Sequence, residues 1–205
     1  MRWMLALMLV IGTLSPVEAE MYNGNETPDY TVEVTDGAFE IRQYPPHIAA
    51  EVTVSGSRDA AINAGFRVLA GYIFGGNEAK AKVAMTTPVT QAPSEKIAMT
   101  TPVTQTGSDH GWTVQFMMPA AYTLDTLPKP NDSRIRLVTT KPVRMVVLRF
   151  SGIPTTASLA SRTEELRAWA KAKGLATTGE PQFMFYDAPF KLPWKRRNEV
   201  AFRLE

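Results

Sequence analysis

The sequence predicts an α+β fold, a distorted antiparallel β-barrel of two pseudo-twofold strand-strand-helix-strand-strand halves flanked by two helices. Three observations predict it. Short apolar or alternating segments bounded by Pro and Gly signal antiparallel strands, and two longer segments carry helical periodicity. The whole order then recurs at a constant offset of 96 residues, with Pro46 matching Pro142, Ser55 matching Ser151 and Gly56 matching Gly152.

The N-terminus comes first. Arg2 precedes an apolar run from Trp3 to Leu14, and Val17 and Ala19 occupy small-residue cleavage positions, so residues 1–19 read as a secretory signal peptide. The run has 12 residues, short of the about 20 needed to span a bilayer. No cysteine lies near the cleavage point to carry a lipid. The expected product is a periplasmic or secreted chain of about 186 residues with no permanent membrane anchor. Residues 20–29 (EMYNGNETPD) are polar and turn-rich and read as a tether, and residues 30–205 form one domain.

In the first half, FEIRQY and HIAAEVTV flank Pro45-Pro46 and signal a strand pair. A helix follows, with Ser57 as cap, Ile62, Phe66, Leu69 and Ile73 at helical spacing and Gly75-Gly76 as its end. Gly65 and Gly71 inside it each cost roughly 1 kcal/mol relative to alanine. In the second half, RIRLVTT, Lys141-Pro142 and VRMVVLRF lead to a helix from about Ala157 to Lys173. Its apolar face is Leu159, Leu166, Trp169 and Ala170, and Gly174 is its C-terminal glycine. QFMFYD and NEVAFRL are the closing strands. A groove between helix and sheet is the natural ligand site.

A closer repeat lies between the halves, where KVAMTTPVTQAPSE from Lys82 is followed at once by KIAMTTPVTQTGSD from Lys96. Pro102 lacks an amide proton, so this strand lies at an edge or breaks there. A duplicated strand and turn is the commoner reading of the repeat, ahead of a metal site built on Met85 and Met99.

Composition removes several function classes. With 22 Lys and Arg against 20 Asp and Glu the formal charge is +2, too small an excess to point to nucleic acid. Without cysteine the chain has neither disulfides nor thiol nucleophiles nor thiolate metal sites. None of the G-x-S-x-G, H-E-x-x-H, G-x-G-x-x-G or Walker A patterns occurs. Ser108, Asp109 and His110 are consecutive in TGSDHG and read as a turn, because adjacent residues cannot form a hydrogen-bonded relay. The expectation is therefore a binding protein rather than an enzyme. Two N-x-S/T sequons stand at Asn25 and Asn131.

The segment KIAMTTPVTQ, followed by WTVQFMMPAAYTLDTLP, VLRFSG and RRNEV, resembles the SOUL haem-binding family in order and wording from about Tyr30 to the C-terminus. That resemblance implies a distorted barrel of pseudo-twofold halves and non-covalent binding of haem or a related tetrapyrrole. In some members a histidine before the tyrosine of the EIRQY-like motif is proposed to ligate iron. Gln43 stands there in this chain. In others the haem is held by apolar contact along the first helix with basic groups near the propionates. The matching positions are Asn63, Phe66 and Ala70 on the helix, with Lys191 and Arg197 near RRNEV.

Each of these residues also has a plainer reading. Phe66 fits core packing with Ile62 and Leu69. Lys191, Lys195, Arg196 and Arg197 around Trp194 read most often as a solvated loop, with carboxylate recognition as the sharper alternative. His47, after the Pro-Pro turn, reads as a strand-end residue ahead of a ligand. Besides haem binding, binding of other flat apolar molecules and a protein-interaction role without ligand remain open at this level.

Overall fold

The computed structural model describes residues 21–79, 94–108 and 110–205. The leader-like residues 1–19 and most of the first tandem copy lie outside the described residues. The main strands are β1 (Thr31–Asp36), β2 (Phe39–Tyr44), β3 (Ile48–Val54), β4 (Val103–Ser108), β5 (Gly111–Met117), β6 (Arg136–Thr139), β7 (Val143–Phe150), β8 (Thr177–Phe185) and β9 (Asn198–Leu204). Helix α1 spans Arg58–Ile73 between β3 and β4, and α2 spans Thr156–Ala172 between β7 and β8.

The strands form one nine-stranded sheet in the order β6-β3-β5-β4-β8-β9-β7-β2-β1. That order corrects the expected barrel, because the ladder runs between two unjoined edges, β6 and β1. Exchanging β2 with β6, β3 with β7, β4 with β8 and β5 with β9 reproduces the order of the eight strands from β6 to β2, so the pseudo-twofold passes between β4 and β8. Phe183 on β8 pairs with Gln105 on β4 at this junction. Arg58, at the start of α1, donates to the Pro154 carbonyl just before α2. The helices thus approach each other at their N-terminal ends.

A second correction concerns the strands around the prolines. FEIRQY and HIAAEVTV are both strands, but they do not pair with each other. Strand β2 pairs with β7, placing Ile41 opposite Val146, and β3 pairs with β6 and β5, placing Ala50 opposite Leu137 and Phe116. Pro45 and Pro46 remove two amide donors where a tight hairpin would need them, and the chain crosses from one half of the sheet to the other. The first strand of each half therefore completes the other half.

Both helices form for local reasons. Ser57 Oγ accepts from Ala60 N at 3.4 Å and Thr155 Oγ1 from Ser158 N at 3.1 Å, satisfying first-turn amides that have no carbonyl partner. Gly75 and Gly174, at φ +114° and +68°, follow the helix ends. Helix α1 packs on β3, β5 and β4, and α2 on β9, β7 and β8. Under α1 lie Ala50, Val52, Leu69, Val114 and Phe116. Under α2 lie Val146, Leu148, Leu166, Phe183, Val200 and Phe202. Residues alternating with these on β7 and β9, including Met145, Val147 and Ala201, face the other way and form a third cluster with Tyr44, Met184 and Tyr186.

Strand β4 begins at Val103, immediately after Pro102, so the expected break falls there. The segment read as a tether lies against this fold. Met21–Tyr22 pairs with Asn25–Glu26, Glu26 bridges to Thr100, and the Tyr22 ring meets Tyr186 edge-on at 5.5 Å.

Candidate functional site

The outward face of α1 is the first candidate. Its buried face is Ala61, Gly65, Leu69, Tyr72 and Ile73. At Gly65 a Cβ would lie 2.6 Å from Val114 Cγ2, so only glycine lets the helix sit this close to β5. Seating the helix on that ridge turns Phe66 outward. Phe66 is 40% exposed and Phe74 60% exposed, which overturns the core-packing reading of Phe66. The Phe66 ring meets the buried Phe116 ring edge-on at 5.4 Å, which anchors it to the core while leaving it partly exposed.

Asn63 is exposed and donates Nδ2 to the Asp59 carbonyl at 2.8 Å, while Ala70 is half-buried. With 3.6 residues per turn, Asn63, Phe66, Arg67, Ala70 and Phe74 share one side of the helix, a strip about 16 Å long at 1.5 Å per residue. Arg67 is exposed and enters no ion pair among the described residues. Sequence reasoning missed Arg67 and Phe74. Their spacing from Asn63 and Ala70 was the available signal.

The structure does not join Lys191 and Arg197 to that strip. Lys191 Nζ is held by Asp187 Oδ1 at 2.5 Å and stands 3.5 Å from the Tyr22 hydroxyl. Arg197 is buried with its guanidinium 3.9 Å from the Tyr186 ring centroid. It donates to Glu199 Oε1 through Nε at 2.8 Å and Nη2 at 2.7 Å.

Glu199 is fully buried and also accepts two hydrogen bonds from Arg42, at 2.8 and 3.1 Å, and one from the Tyr186 hydroxyl at 3.0 Å. Burial alone would raise its pKa, but the hydrogen bonds and charges of Arg42 and Arg197 hold it below the usual carboxylate range. Burial pushes the Tyr186 hydroxyl well up, with the Glu199 charge adding to it. Carboxylate, guanidinium groups and neutral phenols thus satisfy one another, and the cluster has the character of a structural tie across β2 and β9.

His47 is half-buried. Its Nδ1 lies 3.1 Å from Thr140 Oγ1, and burial lowers its pKa. Gln43 lines a cleft of roughly 610 Å³ with Tyr30, Tyr44, Pro45, Pro46 and Pro142. His110 is exposed in the turn between β4 and β5, as the reading of TGSDHG expects.

Two pseudo-twofold halves, an open antiparallel sheet and two helices packed on it define a class of α+β modules. Solved structures share that architecture. The EcmrR C-terminal domain superposes with a TM-score of 0.55 at 14% identity, covering 86% of this chain and 98% of that one. A hydrolase from Listeria innocua gives 0.53 at 15% identity, covering 84% and 94%. These likenesses establish the fold alone.

The family follows from sequence. A family model described as SOUL heme-binding protein matches residues 25–203, and the chain belongs to that family. Among curated relatives, heme-binding protein 1 of Xenopus laevis is 30% identical over 168 residues, 80% of this chain and 83% of that protein. Heme-binding protein 2 of Mus musculus is 26% identical over 173 residues, covering 82% and 79%.

Proposed function

We propose that this chain is an exported binder of haem or a related tetrapyrrole that seats the macrocycle against the outward strip of α1, and that it carries or buffers the ligand rather than transforming it. The observation that carries this reading is the exposed strip itself. Phe66 on the helix and Phe74 at its C-terminal cap are exposed, although the opposite face already buries Leu69, Tyr72 and Ile73 beside Ala61 and Gly65. Membership of the SOUL family and the names of the curated relatives supply the ligand class.

The residues present fit such a ligand. Phe66, Ala70 and Phe74 offer a flat apolar surface, and Arg67 stands among them as the cation for a propionate. Arg67 takes that role in preference to Lys191 and Arg197, whose charges are engaged by Asp187 and Glu199. The strip contributes Asn63 and Arg67 and no histidine, methionine or tyrosine, so axial ligation is weak or exchangeable. Bound haem would supply a redox-active iron and a Soret band. The chain's own part is to shield one face of the macrocycle from water and to neutralise its acids. Export rests on the Trp3–Leu14 run with Val17 and Ala19. Intact mass checks it through an N-terminus at Glu20.

A haemin titration followed in the Soret region tests the ligand and its seat. Wild type is expected to saturate. Phe66→Asp should weaken binding at least tenfold, since its carboxylate is poorly solvated against the ring system and repels propionates. His47→Ala should leave the spectrum almost unchanged. No saturable change in wild type removes haem as ligand, and loss on His47→Ala alone moves the site to the other face.

A further inference from the structure

The loop between β8 and β9 is built inside out. Its polar groups turn inward onto Asp187, which accepts from the Tyr22 hydroxyl at 3.0 Å, Asn23 Nδ2 at 2.9 Å, Lys191 Nζ at 2.5 Å and Arg197 N at 2.6 Å. The Arg196 guanidinium closes the loop from the other side, donating to the Lys191 carbonyl at 2.8 Å and to the Pro189 carbonyl. Backbone bonds from Lys191 N to Ala188 O and Arg196 N to Pro193 O fix its turns, and Gly152 N donates to Pro193 O at 2.9 Å. The apolar side chains point out. Phe190 is 90% exposed, Trp194 68% and Leu192 47%, and Ile153 on the adjoining turn is 57% exposed.

One exposed apolar side chain is ordinary, but three at alternate positions of a braced loop, with a fourth beside them, make a patch. Its surroundings are cationic. Arg149 and Lys195 enter no ion pair among the described residues, and Arg196 bonds to carbonyl oxygens rather than carboxylates. With Trp194, Ser151 and Tyr22 they wall a cleft of roughly 400 Å³ at the foot of the loop. Asp187, the acid of this loop, is already paired with Lys191.

We propose that this loop docks the protein peripherally on an anionic lipid bilayer. Phe190, Leu192 and Trp194 enter the headgroup boundary, and Arg149, Lys195 and Arg196 meet the lipid phosphates. The chemistry matches that boundary, where tryptophan sits at headgroup level and basic residues are drawn to the surface charge. A projecting tip of a few side chains falls short of the roughly 800 Å² per partner that a stable protein interface buries. The rim is also of one sign, which suits a uniformly anionic surface. Docking is independent of the haem reading, since it uses none of the α1 strip.

The chain contains no cysteine, so Phe190→Cys offers a single point for a nitroxide label and, at 90% exposure, costs little packing. The full labelled chain is mixed with vesicles of phosphatidylglycerol and phosphatidylcholine, or of phosphatidylcholine alone. Accessibility to oxygen and to a water-soluble relaxant is read by electron paramagnetic resonance. The label is expected to immerse on the anionic vesicles only. A label at Lys141→Cys, exposed beyond the opposite end of β7 and about 25 Å from Phe150, should stay in water. Reversing two charges with Arg149→Glu and Lys195→Glu should weaken partitioning at least tenfold.

A Phe190 label that stays in water on anionic vesicles overturns the proposal. Immersion that survives both charge reversals, or that is equal on neutral vesicles, overturns it as well. If inorganic phosphate alone perturbs the NMR signals of Arg149 and Lys195 without immersion, the cleft is a small-anion site and the docking claim falls.

Discussion

Helices α1 and α2 occupy equivalent places about the pseudo-twofold, yet they present opposite chemistry to solvent. Helix α2 covers its outer side with ion pairs, Arg162 to Glu165 at 2.5 Å and Arg167 to Glu164 at 3.6 Å, each spaced i to i+3. Helix α1 offers Phe66, Ala70 and Phe74 there. Inside, both helices bury large apolar side chains. Helix α2 buries Leu159, Leu166 and Ala170 together with Thr163, whose hydroxyl donates to the Leu159 carbonyl at 2.8 Å. Helix α1 buries Leu69, Tyr72 and Ile73 beside the small Ala61 and Gly65. The comparison teaches that a duplicated fold can keep its backbone plan and a filled core under both helices while the solvent faces of the two copies diverge.

The opposite side of the sheet is divided in the same way, and the largest predicted effect tests that division. Glu199, with no exposure, is held by two arginines, whereas Glu51 pairs with Arg136, which is 67% exposed. Glu199→Gln should cost about 3–5 kcal/mol, because it strips the charge partner from two guanidinium groups beneath the sheet. Calorimetry should show a fall in Tm of roughly 10 °C. Glu51→Gln should cost less, about 1–2 kcal/mol, because Glu51 is buried but its arginine partner keeps most of its contact with water. Equal losses would mean that the two halves are tied alike.

The same carboxylate sets an acid limit. Its pKa in the folded protein is held below that of an ordinary carboxylate, so the stability it contributes is complete above the unfolded pKa and is lost as pH falls through the folded one. Urea midpoints measured from pH 6 downward should therefore decline below about 4.5, and Glu199→Gln should flatten that decline. An unchanged slope would assign acid sensitivity to other carboxylates, Asp187 foremost, whose pKa is also lowered: burial raises it, and hydrogen bonds from Lys191, Arg197 N and Tyr22 outweigh that.

Within α1 the two glycines should separate cleanly. Gly65→Ala places a methyl 2.6 Å from Val114 Cγ2 and should destabilise by about 1–3 kcal/mol despite the better helix propensity of alanine. Gly71→Ala meets nothing within 4 Å and should stabilise by about 0.5–1 kcal/mol. Thermal unfolding of the two variants measures both. Stabilisation by both would show that the helix does not depend on its close seat.

The local parts of this fold are legible in the sequence because their causes are local. Ser57 as cap, the glycines after both helices and the break at Pro102 each depend on a few neighbouring atoms. Strand partners are not legible, since alternation tells which face a residue takes and nothing about which strand lies beside it. So FEIRQY and HIAAEVTV read as a pair although they belong to different halves. Phe66 reads as core because hydrophobicity weighs size, while the seat of the helix is set by the small Gly65 lying against Val114. Lys191 and Arg197 read as open cations because charge alone does not reveal a partner. Asp187 and Glu199, four and two residues away, were the signal.

The crossing at Pro45-Pro46 and its counterpart at Lys141-Pro142 bears on how the molecule can be cut. Because β2 completes the second half and β6 the first, severing the chain near residue 134 leaves two fragments that each lack a neighbouring strand and carry a spare one. Neither fragment can close its own hydrogen-bond ladder, and the surplus strand of one copy fits the gap in another copy of itself. The present chain is topologically a domain-swapped dimer whose two subunits have been joined end to end.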